Sequence, residues 1–190
     1  MLLVQTARKI VTEYITKHRR LDLDEKLMER FSYDAGIFVT LSISSDLRGC
    51  IGFPMPRKLS NALIEASIAA ATEDPRFSPV AKDELDKITF EVTVLTPPTE
   101  IKVDDPSKLI SQIKIGRDGL IVRQGFYSGL LLPQVPVEYG WTEQEFLSHT
   151  CQKAGLPNDC WKDKKTTIFA FEGIIFKEET PNGKVIRERL

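Results

Sequence analysis

Two segments that alternate between apolar and polar residues restrict the possible folds most strongly. They occupy residues 36–43 and 88–96, where the apolar positions are Ile37, Val39, Leu41 and Ile43 in the first and Ile88, Phe90, Val92 and Val94 in the second. A period of two predicts strands that bury one face of a sheet. Ser44-Ser45-Asp46 predicts a turn, so residues 47–53 form the returning strand of a hairpin.

Helical patterns surround these strands. The sequence predicts an amphipathic helix over residues 1–18 and an alanine-rich helix from Lys58 to Glu73, which ends before Asp74-Pro75 because the residue before proline avoids the helical region. Thr142 and Glu145 form a capping box that begins another helix. Helices and strands mix without a regular βαβ repeat. We therefore expect an α+β fold, with a mostly antiparallel sheet, flanking helices and two lobes.

Later segments predict further β-structure. Residues 166–176 are rich in β-branched and aromatic residues, which favours a central strand. Asp118-Gly119 is typical of the turn of a second hairpin.

Composition excludes several classes of protein. The chain has 190 residues, 42% of them hydrophobic and 28% charged, which is typical of a globular protein. Its net charge of −1 argues against a nucleic-acid partner, since such proteins usually carry a basic excess. No apolar run approaches the ~20 residues that span a bilayer, and no signal peptide is recognisable, so we expect a cytoplasmic protein without a membrane partner. Few asparagines and glutamines favour a thermophilic source.

The three cysteines, Cys50, Cys151 and Cys160, predict no disulfide, because their number is odd and no CxxC pair occurs. Cys151 lies on the apolar side of its predicted helix and Cys160 precedes Trp161, so both are expected to serve as packing residues. With only two histidines, His18 and His149, a cysteine–histidine zinc site is not expected, and no metal site is predicted.

The strongest candidate site is Leu47-Arg48-Gly49-Cys50-Ile51-Gly52-Phe53. The strand period places Arg48, Cys50 and Gly52 on one face. Two glycines in a strand often mark a close approach by a ligand, and a nearby cation lowers the pKa of a thiol. Arg48 and Cys50 are therefore candidate catalytic residues. The alternative is that Cys50 packs as a small hydrophobic residue and the glycines only permit packing.

Two other segments have both functional and structural interpretations. Glu73-Asp74-Pro75-Arg76-Phe77 places an acid–base cluster after a helix, or forms a turn in which Arg76 caps the last helical carbonyls. In residues 123–129, Phe126 and Tyr127 lie between glycines. They either stack on a base or a partner, or fold back over the core.

These motifs together resemble the AMMECR domain family, whose prokaryotic members are also called AmmeMemoRadiSam system protein A. The resemblance rests on LRGCIGF at 47–53, EDPRF at 73–77, EVTVLTPP at 91–98, residues 115–141 and TCQKAGLP at 150–157. It covers nearly the whole chain. Tyr139 stands where many members have tryptophan, which concerns packing rather than chemistry.

The resemblance implies a single AMMECR-type domain over residues 1–190. Its larger lobe would come from about 1–46 and 87–190 and its smaller lobe from about 47–86, with LRGCIG near their junction. It also implies a Memo-like protein and a radical SAM protein as partners. It identifies neither a reaction nor a cofactor, so enzymatic activity is left open.

The ligand-binding residues carried over from the family motifs are Arg48, Gly49, Cys50, Ile51, Gly52, Glu73, Asp74, Arg76 and Phe77. The sequence as a whole is compatible with three functions. We favour a ligand- or partner-binding module at LRGCIG over an enzyme that uses Cys50 as a nucleophile or redox thiol. An RNA-binding protein that uses Phe126 and Tyr127 comes third.

Overall fold

A computed structural model describes residues 1–188 of the chain. The helices are α1 (Leu2–Lys17), α2 (Glu25–Arg30), α3 (Leu59–Thr72), α4 (Leu109–Gln112), α5 (Gln134–Tyr139) and α6 (Glu143–Lys153). The strands are β1 (Asp34–Ile43), β2 (Asp46–Lys58), β3 (Ile88–Leu95), β4 (Thr99–Glu100), β5 (Asp118–Gln124), β6 (Tyr127–Leu131), β7 (Thr167–Glu178) and β8 (Val185–Glu188). The fold is α+β with antiparallel strand pairs and flanking helices, as predicted.

The chain divides into two compact units. The first contains residues 1–95 and 174–188, and the second contains Thr96–Gly173. The sequence-based division at 47–86 differs from this one. β2 pairs with β1 along most of its length and α3 packs on both strands, so residues 47–86 belong to the same unit as residues 1–46.

In the first unit, the sheet order begins β2-β1-β3, which makes β2 an edge strand. Helices α1 and α3 cover one face, where Ile37, Val39 and Leu41 of β1 are fully buried, as their alternation predicted. The β1–β2 turn is formed by Ser44 and Ser45, both with positive φ, at the predicted position.

The close packing of α3 on β2 depends on Gly49. A Cβ atom at this position would lie 2.1 Å from the carbonyl oxygen of Ala70, which is backbone of α3. The strand glycine therefore serves the approach of a helix, one of the two roles considered for it.

In the second unit, β5 pairs with β6 on one side and with β7 on the other, and β4 pairs with β7. Helix α6 packs on β5 and β6 and begins at the predicted capping box of Thr142 and Glu145. The prediction of a turn at Asp118-Gly119 is wrong, because β5 begins there. The buried carboxylate of Asp118 accepts hydrogen bonds from Arg117 and from the Lys114 backbone N–H, and the hairpin turn lies at Gly125 and Phe126.

The second unit also contains a disulfide bond between Cys151 and Cys160. The expectation of three free thiols is therefore wrong for two of them. α6 ends at Lys153, and the turn that follows brings Cys160 back against Cys151. An odd number of cysteines leaves one of them unpaired, and that residue is Cys50.

None of the helices within residues 1–188 combines the length and the apolar character that a membrane crossing needs.

Candidate functional site

The side chain of Cys50 belongs to a row that crosses three strands of the first unit. Cys50 of β2 lies opposite Thr40 of β1, and Thr40 lies opposite Glu91 of β3. Since Val39 and Leu41 point toward the helices, the alternation of β1 places Thr40 on the other face of the sheet. We call Cys50, Thr40 and Glu91 the Cys50 row.

The thiol of Cys50 is half-buried and accepts a hydrogen bond from the Thr40 hydroxyl, with 3.3 Å between Oγ1 and Sγ. Burial raises the pKa of the Cys50 thiol, and the nearby guanidinium of Arg76 only partly offsets this effect. The carboxylates of Glu91 and Asp74 raise it further. The thiol is therefore protonated at neutral pH.

Arg48 does not act on the thiol as expected. Its guanidinium binds both carboxylate oxygens of Glu84, at 2.7 and 3.0 Å. The Glu84 carboxylate thus neutralises the positive charge of Arg48, which was expected to lower the pKa of the Cys50 thiol. The cation that does influence the pKa of Cys50 is Arg76, which follows helix α3.

The carboxylate of Asp74 joins the EDPRF segment to the cysteine strand. It is 3% exposed and accepts hydrogen bonds from the backbone N–H groups of Cys50, at 2.9 Å, and of Arg76, at 3.1 Å. The guanidinium of Arg76 donates two more, at 2.9 and 2.7 Å. These contacts, chiefly the Arg76 side chain, hold the pKa of Asp74 well below its ordinary value. Arg76 thus binds Asp74 rather than capping the carbonyls of α3.

The remaining predicted residues lie around this cluster. The ring centroid of Phe77 lies 6.0 Å from the guanidinium carbon of Arg48 and 5.5 Å from that of Arg76. Gly52 faces the ring of Phe38, which would lie 2.4 Å from an added Cβ atom. Ile51 packs against the helix-covered core, and Glu73 is exposed. The structure thus brings Cys50, Asp74 and Arg76 together and leaves Ile51 and Glu73 outside that cluster.

A groove of about 680 Å³ borders the Cys50 row at Glu91. Its polar lining combines hydroxyl groups, lysines and glutamates: Ser42, Ser44, Ser45, Thr89, Thr180, Lys87, Lys177, Glu91, Glu178 and Glu179. Burial raises the pKa of Glu91, and the carboxylate of Glu188 raises it further, while Lys177 opposes both effects. Thr40, Glu84 and Glu91 were missed from the sequence. The alternation alone could have placed Thr40 and Glu91 on this face.

The third candidate segment lies in the second unit. Phe126 is fully exposed at the tip of the β5–β6 hairpin and Tyr127 beside it is also exposed. Of the two alternatives for these aromatics, folding back over the core is therefore wrong.

A family model for AMMECR1 matches residues 4–176. The chain belongs to the AMMECR1 family. A protein of Thermococcus gammatolerans is 52% identical, over 99% of this chain and 94% of its own length. A protein of Nanoarchaeum equitans is 49% identical, over 94% of this chain and 100% of its own length.

A solved structure is also similar to this chain. The crystal structure of uncharacterized protein PH0010 from Pyrococcus horikoshii matches with a TM-score of 0.86 and 47% identity. The match covers 100% of this chain and 96% of that one.

Alkylation of Cys50 in this AMMECR1 chain is expected to be slow at neutral pH. Because burial raises the pKa of the thiol, iodoacetamide should modify it several-fold more slowly than the unfolded chain at pH 7.5, with a midpoint above the ordinary ~8.5. The measurement is the rate against pH, read by peptide mass spectrometry. Thr40→Val, which removes the donor to sulfur, should move the midpoint further up. A midpoint below ~8.5 would show that the thiolate is stabilised instead.

Asp74→Asn is expected to lower the free energy of unfolding by about 2 kcal/mol at pH 7, since it removes a buried charge-assisted acceptor. The lowered pKa of Asp74 stabilises the fold above its unfolded value of about 3.9, and this contribution is lost as the pH falls. Urea unfolding between pH 7 and 2 should therefore show the two proteins converging in acid. Asp22→Asn, at an exposed aspartate, is the control and should change little. A constant difference across this pH range would argue against the assignment.

Proposed function

We propose that this AMMECR1-family protein is a binding module for a small polar ligand. The ligand occupies the groove beside the Cys50 row and contacts that row. The observation that carries the proposal is the continuity of Cys50, Thr40 and Glu91 with a groove lined by hydroxyl groups, two lysines and three glutamates. Concave sites with a few convergent polar groups are the usual form of ligand sites.

Several contacts favour binding over nucleophilic catalysis. The thiol is protonated and accepts a hydrogen bond, whereas a nucleophile needs a base that accepts its proton. His18 is exposed at the end of α1, and His149 is stacked on Trp141 in the second unit. The carboxylate of Asp74 accepts hydrogen bonds from Arg76 and from the Cys50 backbone N–H, so it is not available as a base for the thiol. These arrangements hold Cys50 in place without activating it.

The groove lining indicates the chemistry of the ligand. Serine and threonine hydroxyls donate and accept hydrogen bonds, and Lys87 is exposed at the rim. Lys177 is already paired with Glu188, with 2.6 Å between Nζ and Oε1. A ligand with hydroxyl or amide groups and no full anion matches this set best, because Glu91 and Glu179 line the same groove as Lys87.

Thermal-shift measurements across a panel of polar metabolites test the proposal. At least one compound should raise the melting temperature, and Thr40→Val and Glu91→Gln should abolish the shift. Thr16→Val is the matched control, because its hydroxyl only bonds the Thr12 carbonyl within α1. If no compound raises the melting temperature, or the shifts persist in both site variants, the groove is not the ligand site.

A protein partner at the edge strand is a separate part of the proposal. β2 exposes Leu47 and Met55 at the edge of the sheet, where a partner such as a Memo-like protein would bury them. Leu47→Asp should then weaken co-elution of the two purified proteins in size-exclusion chromatography. Met28→Asp, at an exposed methionine on α2, is the control. Separate elution of the unmodified proteins would rule out this partner.

A cysteine enzyme is the alternative, and one observation favours it. Glu91 lies in the Cys50 row and has a raised pKa, as a general acid or base would need near neutral pH. Two strand spacings separate it from Cys50 by about 10 Å, too far for direct proton transfer. Once an activity is known, its survival in Cys50→Ser would exclude this alternative.

A further inference from the structure

A second groove, of about 430 Å³, lies entirely within residues 100–168 of the second unit. Its apolar lining is Ile101, Val103, Pro106, Leu109, Trp161 and Ile168. Most of these side chains belong to the core of this unit, so they form a small apolar floor within a lining that is otherwise polar. An apolar floor of this size with polar groups at its rim is the composition of small-molecule sites.

Two lining residues carry polar atoms with no partner. Among the residues that the structure describes, the indole Nε1 of Trp161 and the hydroxyl Oγ1 of Thr166 are buried and make no hydrogen bond. Trp161 is only 4% exposed, and its indole N–H can only donate. An unsatisfied buried donor costs about 1–3 kcal/mol, so two at one groove indicate that an acceptor binds there.

The wall that carries Trp161 is held in place from several directions. Cys160, the preceding residue, is bonded to Cys151 of α6, and the ammonium of Lys162 lies 5.1 Å from the Trp161 ring centroid. Two other lining residues are joined directly, since the backbone N–H of Ile101 donates to the carbonyl of Ile168 at 2.9 Å. These contacts preorganise the groove, which reduces the entropy lost on binding.

Charges at the rim indicate an uncharged ligand. Lys102 and Lys164 are opposed by Glu100, Asp104 and Asp163. Asp104 is paired with Lys108, and Asp163 accepts hydrogen bonds from Gln124 and from the Lys165 backbone. Neither a full anion nor a full cation finds an excess of opposite charge here.

We propose that this groove binds a small uncharged molecule with an apolar, planar body and a carbonyl acceptor. The body covers the apolar floor, and the carbonyl oxygen accepts hydrogen bonds from the Trp161 indole N–H and the Thr166 hydroxyl. Both atoms lie beneath the groove surface, so a small rotation of the two side chains brings them to the ligand while the backbone of the wall stays in place. This site involves none of the residues around Cys50 and does not depend on the function proposed for them.

The indole N–H resonances of the two tryptophans, in protein labelled with ¹⁵N, provide the test. The probes are benzamide, which has a neutral carbonyl, benzoate, which is an anion, and benzylamine, which is a cation without an acceptor. Benzamide should shift the Trp161 resonance in a saturable way and leave that of Trp141 unchanged. A stronger response to benzoate, an equal response to benzylamine, or the absence of a saturable shift would overturn the proposal.

Two variants separate the hydrogen bonds from the apolar contact. Thr166→Val should weaken benzamide binding by about tenfold, the loss expected for one hydrogen bond at a buried site. Trp141→Phe should leave the affinity unchanged and assigns the remaining indole resonance to Trp161. Unchanged affinity in Thr166→Val would remove the hydroxyl from the site, and the proposal with it.

Discussion

Gly49→Ala is expected to destabilise the first unit by about 3 kcal/mol. The added Cβ atom would lie 2.1 Å from the carbonyl oxygen of Ala70. That oxygen is backbone of α3, and α3 is packed on β1 and β2 with most of its side chains buried, so it cannot withdraw as a flexible side chain would. Urea unfolding monitored by circular dichroism measures the loss.

A glycine without neighbours provides the control for this prediction. An added Cβ at Gly125 meets nothing within 4 Å, although its φ is +57°. Gly125→Ala should therefore cost only about 1 kcal/mol, the penalty of the left-handed conformation for alanine. Equal losses in the two variants would contradict the role assigned to the contact between α3 and β2.

Removing the disulfide is expected to cost about 3 kcal/mol of the free energy of unfolding. Cys151 and Cys160 are nine residues apart, and closing a loop of this length restricts the unfolded chain by about that amount. The variant is Cys151→Ser combined with Cys160→Ser, and the measurement is the unfolding midpoint with and without a reducing agent. Disulfides also occur in intracellular proteins of hyperthermophiles, so the pair does not require a secreted protein.

The single-cysteine variant Cys50→Ser distinguishes the effect of the disulfide from a general effect of thiol loss. It keeps the Cys151–Cys160 pair and should retain the sensitivity of the unfolding midpoint to reduction. The double variant should have lost this sensitivity. If the reducing agent leaves the midpoint of the unmodified protein unchanged, the disulfide contributes nothing to its stability.

Local patterns in the sequence were sufficient for most of the fold. Alternation in β1 and β3 identified the buried face, because a period of two is a direct consequence of strand geometry. The end of the alanine-rich helix before Asp74-Pro75 followed from the steric restriction on the residue before proline. At Asp118-Gly119 the turn prediction from the Asp-Gly dipeptide failed, since a buried carboxylate with partners in the preceding turn can begin a strand.

The candidate site was only partly predictable, because its contacts join residues far apart in the chain. Arg48 was assigned to Cys50 by proximity in sequence, yet its partner is Glu84, 36 residues away. Asp74 reaches the backbone of Cys50 across 24 residues. Pairs of this kind depend on how α3 lies on the sheet, and neither propensity nor spacing encodes that arrangement.

The hydrogen bond from the Cys50 backbone to Asp74 has a consequence for self-association. β2 is an edge strand of 13 residues, and an open edge of that length offers its backbone to strands of other molecules. The Asp74 carboxylate accepts the hydrogen bond of the outward Cys50 backbone N–H, and Pro54 and Pro56 have no backbone N–H. The EDPRF turn and the two prolines thus protect the protein against edge-to-edge aggregation. That protection is present whether or not the neighbouring groove is occupied.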